Sequence, residues 1–263
     1  MPRAHAGARV APGDESAARR GRLGARPSSS RRAGVGAAGK SSADSAHADS
    51  GAASTRSLEL GLGRARDGLL RLPAAHRADR PAPLVVLFHG AGANGADILP
   101  VLAGPADDAG LILLAPDSRA DTWDVIRGGY GPDVAVVDRA LAATFERYAV
   151  DPARVVAAGF SDGASYALSL GLTNGDLFTH LVALSPGFAA PAEQHGAPGI
   201  FVSHGTRDAV LPIDACSRRL VPRLRRAGYD VRYDEFEGGH FVPEPIVREA
   251  MRWLAAPRRA AAQ

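Results

Sequence analysis

The chain has one cysteine, Cys216, and one lysine, Lys40. A single cysteine excludes an intramolecular disulfide, which fits a reducing compartment such as the cytoplasm, the expected location. Cys216 falls on an apolar helical stripe, the place of a packed thiol rather than a reactive one. One lysine beside so many arginines reflects a bias that also enriches Ala, Gly and Pro, so arginine abundance says little about function. No apolar run approaches the roughly 18 residues of a membrane-crossing helix, so no membrane span is expected. The Arg pairs at 19–20 and 31–32 are not followed by an apolar stretch of about 7–15 residues, which argues against a twin-arginine export signal. Metal patterns are missing as well: no H-E-x-x-H, no paired cysteines and no closely spaced histidines. The Gly-rich "HGAGAN" (89–94) lacks the Lys-Ser/Thr ending of a phosphate-binding loop. No metal or cofactor is expected.

Charge is unevenly spread. Residues 1–56 carry ten basic and four acidic side chains, a net +6, and the rest carries 21 basic and 24 acidic, a net −3. The high isoelectric point therefore belongs to the N-terminal stretch. A mildly acidic main domain gives no support to nucleic-acid binding. Residues 1–56 are Arg, Ser, Ala and Gly with almost no large apolar side chains, a composition too poor in burial to offset its ordering entropy. They are expected to be a disordered basic tail. Their Arg- and Ser-rich texture partly fits a transit peptide, and fits translated sequence upstream of the true start equally well. Residues 57–256 are expected to form one domain, with a short tail at 257–263.

From Ser57 the texture changes. "LELGL" (58–62) and "GLLRLP" (68–73) read as an opening antiparallel pair. "PLVVLFHG" (83–90), "LILLAP" (111–116), "RVVAAGF" (154–160), "HLVALSP" (180–186) and "GIFVSHG" (199–205) are continuous apolar runs, as expected of strands buried on both faces. "YDVRYDEFEG" (229–238) is a more alternating last strand. Four helical stripes lie between or after them: Val134, Val137, Leu141, Phe145 and Tyr148; Ala164, Ala167, Leu168 and Leu172; Ile213, Cys216, Leu220 and Leu224; Val247, Ala250, Met251 and Leu254. This alternation predicts an α/β fold, a mostly parallel sheet with helices on both faces and a minimal cap.

Ligands of such sheets bind beyond the carboxyl ends of the strands. His89-Gly90-Ala91-Gly92, Asp117-Ser118, Ser161-Asp162, Ser185-Pro186, Asp208 and His240 all fall there. A serine hydroxyl is a weak nucleophile unless a base stands within hydrogen-bond reach and a carboxylate orients that base. In "GFSDG" (159–163) a buried strand meets a helix, with Gly159 and Gly163 two residues either side of Ser161. That tight turn lifts a serine clear of the sheet and aims helix N–H groups at the place where an oxyanion would form. The order Ser161, Asp208, His240 completes a nucleophile, an orienting acid and a base. Plainer readings are a helix cap for Ser161, a turn aspartate for Asp208 and a loop histidine for His240. Asp234 and Glu237 compete as the acid, but lie on or near the last strand. His89 and His204, each before a glycine at a strand end, read as packed, hydrogen-bonded side chains.

The pieces "LFHGAGAN", "GFSDGASYALSLGL", "LSPGF", "SHGTRDAVLP" and "GGHFVP", in this order over about 84–255, resemble the phospholipase/carboxylesterase family of small α/β-hydrolases. The resemblance implies an ester-cleaving serine hydrolase acting on a small-molecule substrate through an acyl-enzyme. Ser161 would be the nucleophile, His240 the base and then acid, and Asp208 the orienter. It further implies an oxyanion hole built from the N–H groups of Ala91 and Asp162, with Gly92 nearby. Many esterases of the family carry Gln where this chain has Asp162, which leaves the N–H unchanged but adds a carboxylate near the site. The loop "ADTWDVIRGGYGPD" (120–133) has no clear counterpart. Trp123 in it suits a substrate-pocket wall and plain loop packing equally. A thioesterase, a small peptidase of the same fold and a non-catalytic binding protein are the alternatives, and the chain is expected to be a monomer or homodimer.

Overall fold

A computed structural model describes residues 12–28, 56–62 and 67–256 of the chain. Its centre is an eight-stranded sheet: β1 (Arg56–Glu59), β2 (Gly68–Leu72), β3 (Ala82–Phe88), β4 (Ile112–Pro116), β5 (Val150–Phe160), β6 (His180–Leu184), β7 (Gly199–Gly205) and β8 (Val231–Phe236), in the spatial order β1-β2-β4-β3-β5-β6-β7-β8. β1, β2 and β4 pair antiparallel and the strands from β4 to β8 run parallel. This is the mostly parallel sheet expected, with the opening pair in place.

The apolar runs divide by alternation. Leu84, Val86 and Phe88 join one core, together with α3 (Pro132–Arg147), α4 (Asp162–Thr173) and α5 (Ser217–Arg226). Val85 and Leu87 join the other, with α2 (Gly95–Asp108) and α6 (Glu244–Ala255). Side chains alternate across a strand, so a run without polar residues feeds two cores at once. Each fully buried side chain of this kind adds roughly 1.5–3 kcal/mol relative to exposure, so the centre of the sheet is the firm platform under the site.

Two elements were not among those expected. α2 carries Pro100 and Pro105 in its interior, residues that ordinarily break helices. Its buried stripe of Ile98, Leu99, Leu102 and Ala106 and a full capping box between Asn94 and Asp97 hold it nonetheless. The second departure lies within the stretch expected to be disordered. Residues 12–28 form α1 (Pro12–Arg19) and an extended arm. Ala18 and Leu23 are buried. Asn174 accepts from the Leu23 N–H (2.9 Å) and donates to the Gly21 carbonyl (2.7 Å), and Asp138 accepts from the N–H groups of Gly24 and Ala25 (2.8 Å each). Arg22 and Arg26 both reach Asp176. The arm is ordered less by its own apolar content than by side chains of the main sheet domain that satisfy its backbone. The expectations for 1–11, 29–55 and 257–263 lie outside the described residues. No helix among the described residues is long and apolar enough to cross a membrane.

Candidate active site

β5 runs straight into α4, and Ser161 is the joint. Its backbone sits at φ 58°, ψ −122°, a conformation that L-residues rarely adopt. The strain is held by hydrogen bonds on both sides. The Ser161 N–H donates to the Leu184 carbonyl (2.9 Å), and its own carbonyl accepts from the N–H groups of Ala164 (3.0 Å) and Ser165 (3.1 Å). The flanking glycines are demanded by contact. A Cβ on Gly159 would come within 2.2 Å of the Gly163 carbonyl oxygen, and one on Gly163 within 2.1 Å of the Phe88 carbonyl oxygen. The turn is therefore tight because strand and helix nearly touch, and the serine is what the tightness pushes outward.

His240 follows β8 and Asp208 follows β7. His240 Nε2 lies 2.9 Å from Ser161 Oγ, and His240 Nδ1 lies 2.6 Å from Asp208 Oδ2. The Phe160 ring packs against the imidazole at a centroid distance of 4.8 Å. Asp208 is buried, which pushes its carboxyl upward. Hydrogen bonds from His240 and from the N–H groups of Leu211 (2.8 Å) and Val210 (2.9 Å) outweigh that and hold it below the usual carboxylate range. An ionised carboxylate only accepts, so Nδ1 carries the histidine proton and the lone pair of Nε2 faces the serine hydroxyl. The competing acids are elsewhere: Asp234 pairs with Arg232 and Glu237 with Arg207.

The turn after β3 closes against the serine, and a Cβ on Gly90 would stand 3.5 Å from Ser161 Cβ. His89 shapes this turn. Its Nε2 accepts from the Ser118 N–H (3.1 Å), so its Nδ1 carries the proton and donates to the Gly90 carbonyl (2.8 Å). Neither the Ala91 nor the Asp162 N–H has a hydrogen-bond acceptor among the described residues. Gly92 differs from expectation: its N–H is already given to the Asp121 carbonyl (2.7 Å), so it braces the turn. The Asp162 carboxylate turns away, accepting from the Thr122 hydroxyl (2.6 Å).

Trp123 is corrected as well. It is fully buried, stacked on Tyr166 at 4.6 Å, with its indole N–H donated to the His89 carbonyl (2.8 Å). A side chain enclosed in this way lines no pocket for a substrate and instead supports the turn that carries Ala91. Its loop is organised by two buried carboxylates. Asp133 accepts from the N–H groups of Arg119 (2.6 Å) and Asp124 (2.7 Å), and Asp124 from those of Gly131 (2.8 Å) and Asp133 (3.0 Å). Burial and then the Asp133 charge push Asp124 up to about 6, and burial raises Asp133 too.

A further set had not been singled out. Ser165, Ser169 and Thr173, spaced by four along α4, each bond the carbonyl one turn back. Their oxygens also accept from the N–H groups of Gly187 (2.9 Å), Ala190 (2.9 Å) and Ala192 (3.2 Å). This ladder pins the loop of the exposed Phe188 to α4, the helix that begins just after Ser161. Its signal in the sequence is the i, i+4, i+8 recurrence of hydroxyl residues within an apolar helix. Among the described residues no group of three or more His, Cys, Asp or Glu could hold a metal ion.

No family model matches the chain. Over 178 residues it is 25% identical to feruloyl esterase D of Neurospora crassa, a match that covers 62% of this chain and 60% of that protein's length. Among solved structures it resembles esterase PE8, at 25% identity and a TM-score of 0.59, over 72% of this chain and 98% of that one. A phospholipase/carboxylesterase from Dyadobacter fermentans superposes with a TM-score of 0.54 at 20% identity, over 69% and 93%. The chain has the α/β-hydrolase fold, and the proteins it resembles in sequence and structure include esterases and a phospholipase/carboxylesterase.

Proposed function

We propose that the protein is a carboxylic ester hydrolase that works through Ser161, His240 and Asp208. The observation that carries this is the unbroken hydrogen-bonded chain from Ser161 Oγ through both nitrogens of His240 to Asp208. Ser161 Oγ attacks the acyl carbonyl while His240 Nε2 takes its proton. The oxyanion is received by the N–H groups of Ala91 and Asp162, at the start of a helix whose dipole favours negative charge. Collapse of the tetrahedral intermediate expels the alcohol, which takes the proton from His240. Water, deprotonated by the same nitrogen, then releases the acid from Ser161. Asp208 holds the imidazole in the tautomer that accepts first and donates later. The paired Asp162 carboxylate leaves its N–H free for the oxyanion.

The substrate reading narrows on the loops around the site. Phe188, Val210 and Phe241 are exposed large apolar residues, and they follow Ser185, Asp208 and His240 in the chain. An apolar rim of this kind favours an ester with an apolar or aromatic acyl group, and a sequence relative is named a feruloyl esterase. A small-molecule substrate and a cytoplasmic location complete the proposal, the latter supported by the lone, unpaired Cys216. The test is turnover of p-nitrophenyl esters from acetate to palmitate, with methyl ferulate and a thioester alongside. Ester hydrolysis by the parent chain, lost in Ser161→Ala, is the expected result. A folded parent that turns over none of these esters overturns it in favour of a binding protein.

A further inference from the structure

A second histidine touches the same aspartate. His204, near the end of β7, is completely buried. Its Nδ1 lies 2.7 Å from Ser217 Oγ, and its Nε2 lies 2.8 Å from the Leu211 carbonyl oxygen and 3.3 Å from Asp208 Oδ2. A carbonyl oxygen can only accept, so Nε2 carries the proton and Nδ1 accepts from the Ser217 hydroxyl. That N–H is given to the Leu211 carbonyl, and Asp208 Oδ2, the carboxylate oxygen that faces His240, lies beside the same nitrogen as its electrostatic neighbour. Leu211 closes the unit by donating its own N–H to Asp208 Oδ1 (2.8 Å). Burial lowers the pKa of His204 and so keeps the ring neutral, against the raising effect of the Leu211 carbonyl and Asp208. The other ionisable groups that act on this unit are His240, Glu235, which is the register partner of His204 on β8 and is paired to Arg218, and the buried Cys216 thiol, which feels the Asp208 charge.

Resting on the triad reading above, we propose that His204 is a positioning residue for the reaction: it holds the Asp208 oxygen that orients His240, in a tautomer set by Ser217. Two consequences follow from removing its N–H. The Leu211 turn, whose N–H holds Asp208, loses its anchor and the carboxylate loses a polar neighbour, so His240 is aimed less well. The carboxylate oxygen also keeps more of its negative charge toward His240, which stabilises the imidazolium and delays its loss of a proton as pH rises.

The test compares kcat and KM across pH for His204→Phe, His204→Gln and Ser217→Ala, using p-nitrophenyl acetate. His204→Phe keeps a flat ring but cannot donate. It is expected to lose about 10- to 100-fold in kcat, with KM changed less than about twofold, and to move the acid limb of kcat/KM to higher pH. His204→Gln places an amide N–H near the Nε2 position and should recover part of both effects. Ser217→Ala frees the tautomer without touching the ring, and should shift the limb in the same direction by less. If His204→Phe does not fold, the other two variants carry the test. Acid limbs that superimpose on the parent in every folded variant, or an equal loss in Phe and Gln, make His204 a packing residue and overturn the proposal. A parent chain without esterase activity would instead strike at the triad reading itself.

Discussion

Two buried acidic sites lie on the same edge of the sheet, and they behave in opposite ways. Asp208 and Asp124 are 6% and 8% exposed, and burial pushes both upward, with Asp124 the more deeply enclosed of the two. Asp208 accepts from two backbone N–H groups and lies within hydrogen-bonding distance of two imidazoles, and it stays below the usual range. Asp124 uses one oxygen for two N–H groups, leaves Oδ1 without a partner, and has a second carboxylate beside it. What a buried carboxyl does is set by its donors and by the sign of its neighbours as well as by its depth. Here the first site suits an anion that orients a base. The second fastens the loop of Thr122 and Trp123, and it does so most firmly while protonated.

Exchanging each carboxylate for its amide tests that contrast. The largest effect is expected at Asp208. In Asp208→Asn the amide no longer demands a proton on His240 Nδ1, and kcat should fall by roughly 10⁴-fold with the fold intact. Retention of more than a tenth of the parent kcat would mean that Asp208 is no different in kind from Asp124. The second exchange should go the other way. The Asp124 carboxyl titrates at about 6 in the fold against ~3.9 when unfolded. It is therefore protonated in the fold and ionised in the unfolded chain between those values, and stability is lost as pH rises from ~4 through about 6. Asp124→Asn cannot ionise and keeps an acceptor for the Gly131 and Asp133 N–H groups. Its unfolding free energy should match the parent near pH 4 and exceed it at pH 8 by about 3 kcal/mol, with esterase activity unchanged. A variant destabilised equally at both pH values would remove the contrast.

The same distinction explains how much of the molecule could be read from its sequence. Strand runs, the opening hairpin and the placing of Ser161, Asp208 and His240 were all legible, because alternation and strand-end position are local signals with long-range consequences. α2 was not among the expected helices, since Pro100 and Pro105 are ordinarily helix breakers and the cap and buried stripe that outweigh them act cooperatively. The arm at 12–28 was hidden because its partners, Asp138, Asn174 and Asp176, lie more than 100 residues away. Of the two tasks open to Trp123 the structure leaves the packing one, and Gly92 lies in the expected turn but braces it. Composition does not say whether an indole faces a cavity or a neighbouring ring, nor whether an N–H is already in use. His204 was read as a packed histidine, and its shared contact with Asp208 is visible only once β7 and its following turn are folded.

The central claim is that the strain at Ser161 exists to expose a nucleophile that His240 activates. The most direct measurement is labelling with a fluorophosphonate probe, followed by mass spectrometry of the digested protein. The account predicts a single adduct, on Ser161, that disappears in Ser161→Ala and is much slower to form in Asp208→Asn. An adduct on another residue, or none on a folded parent chain, would contradict it.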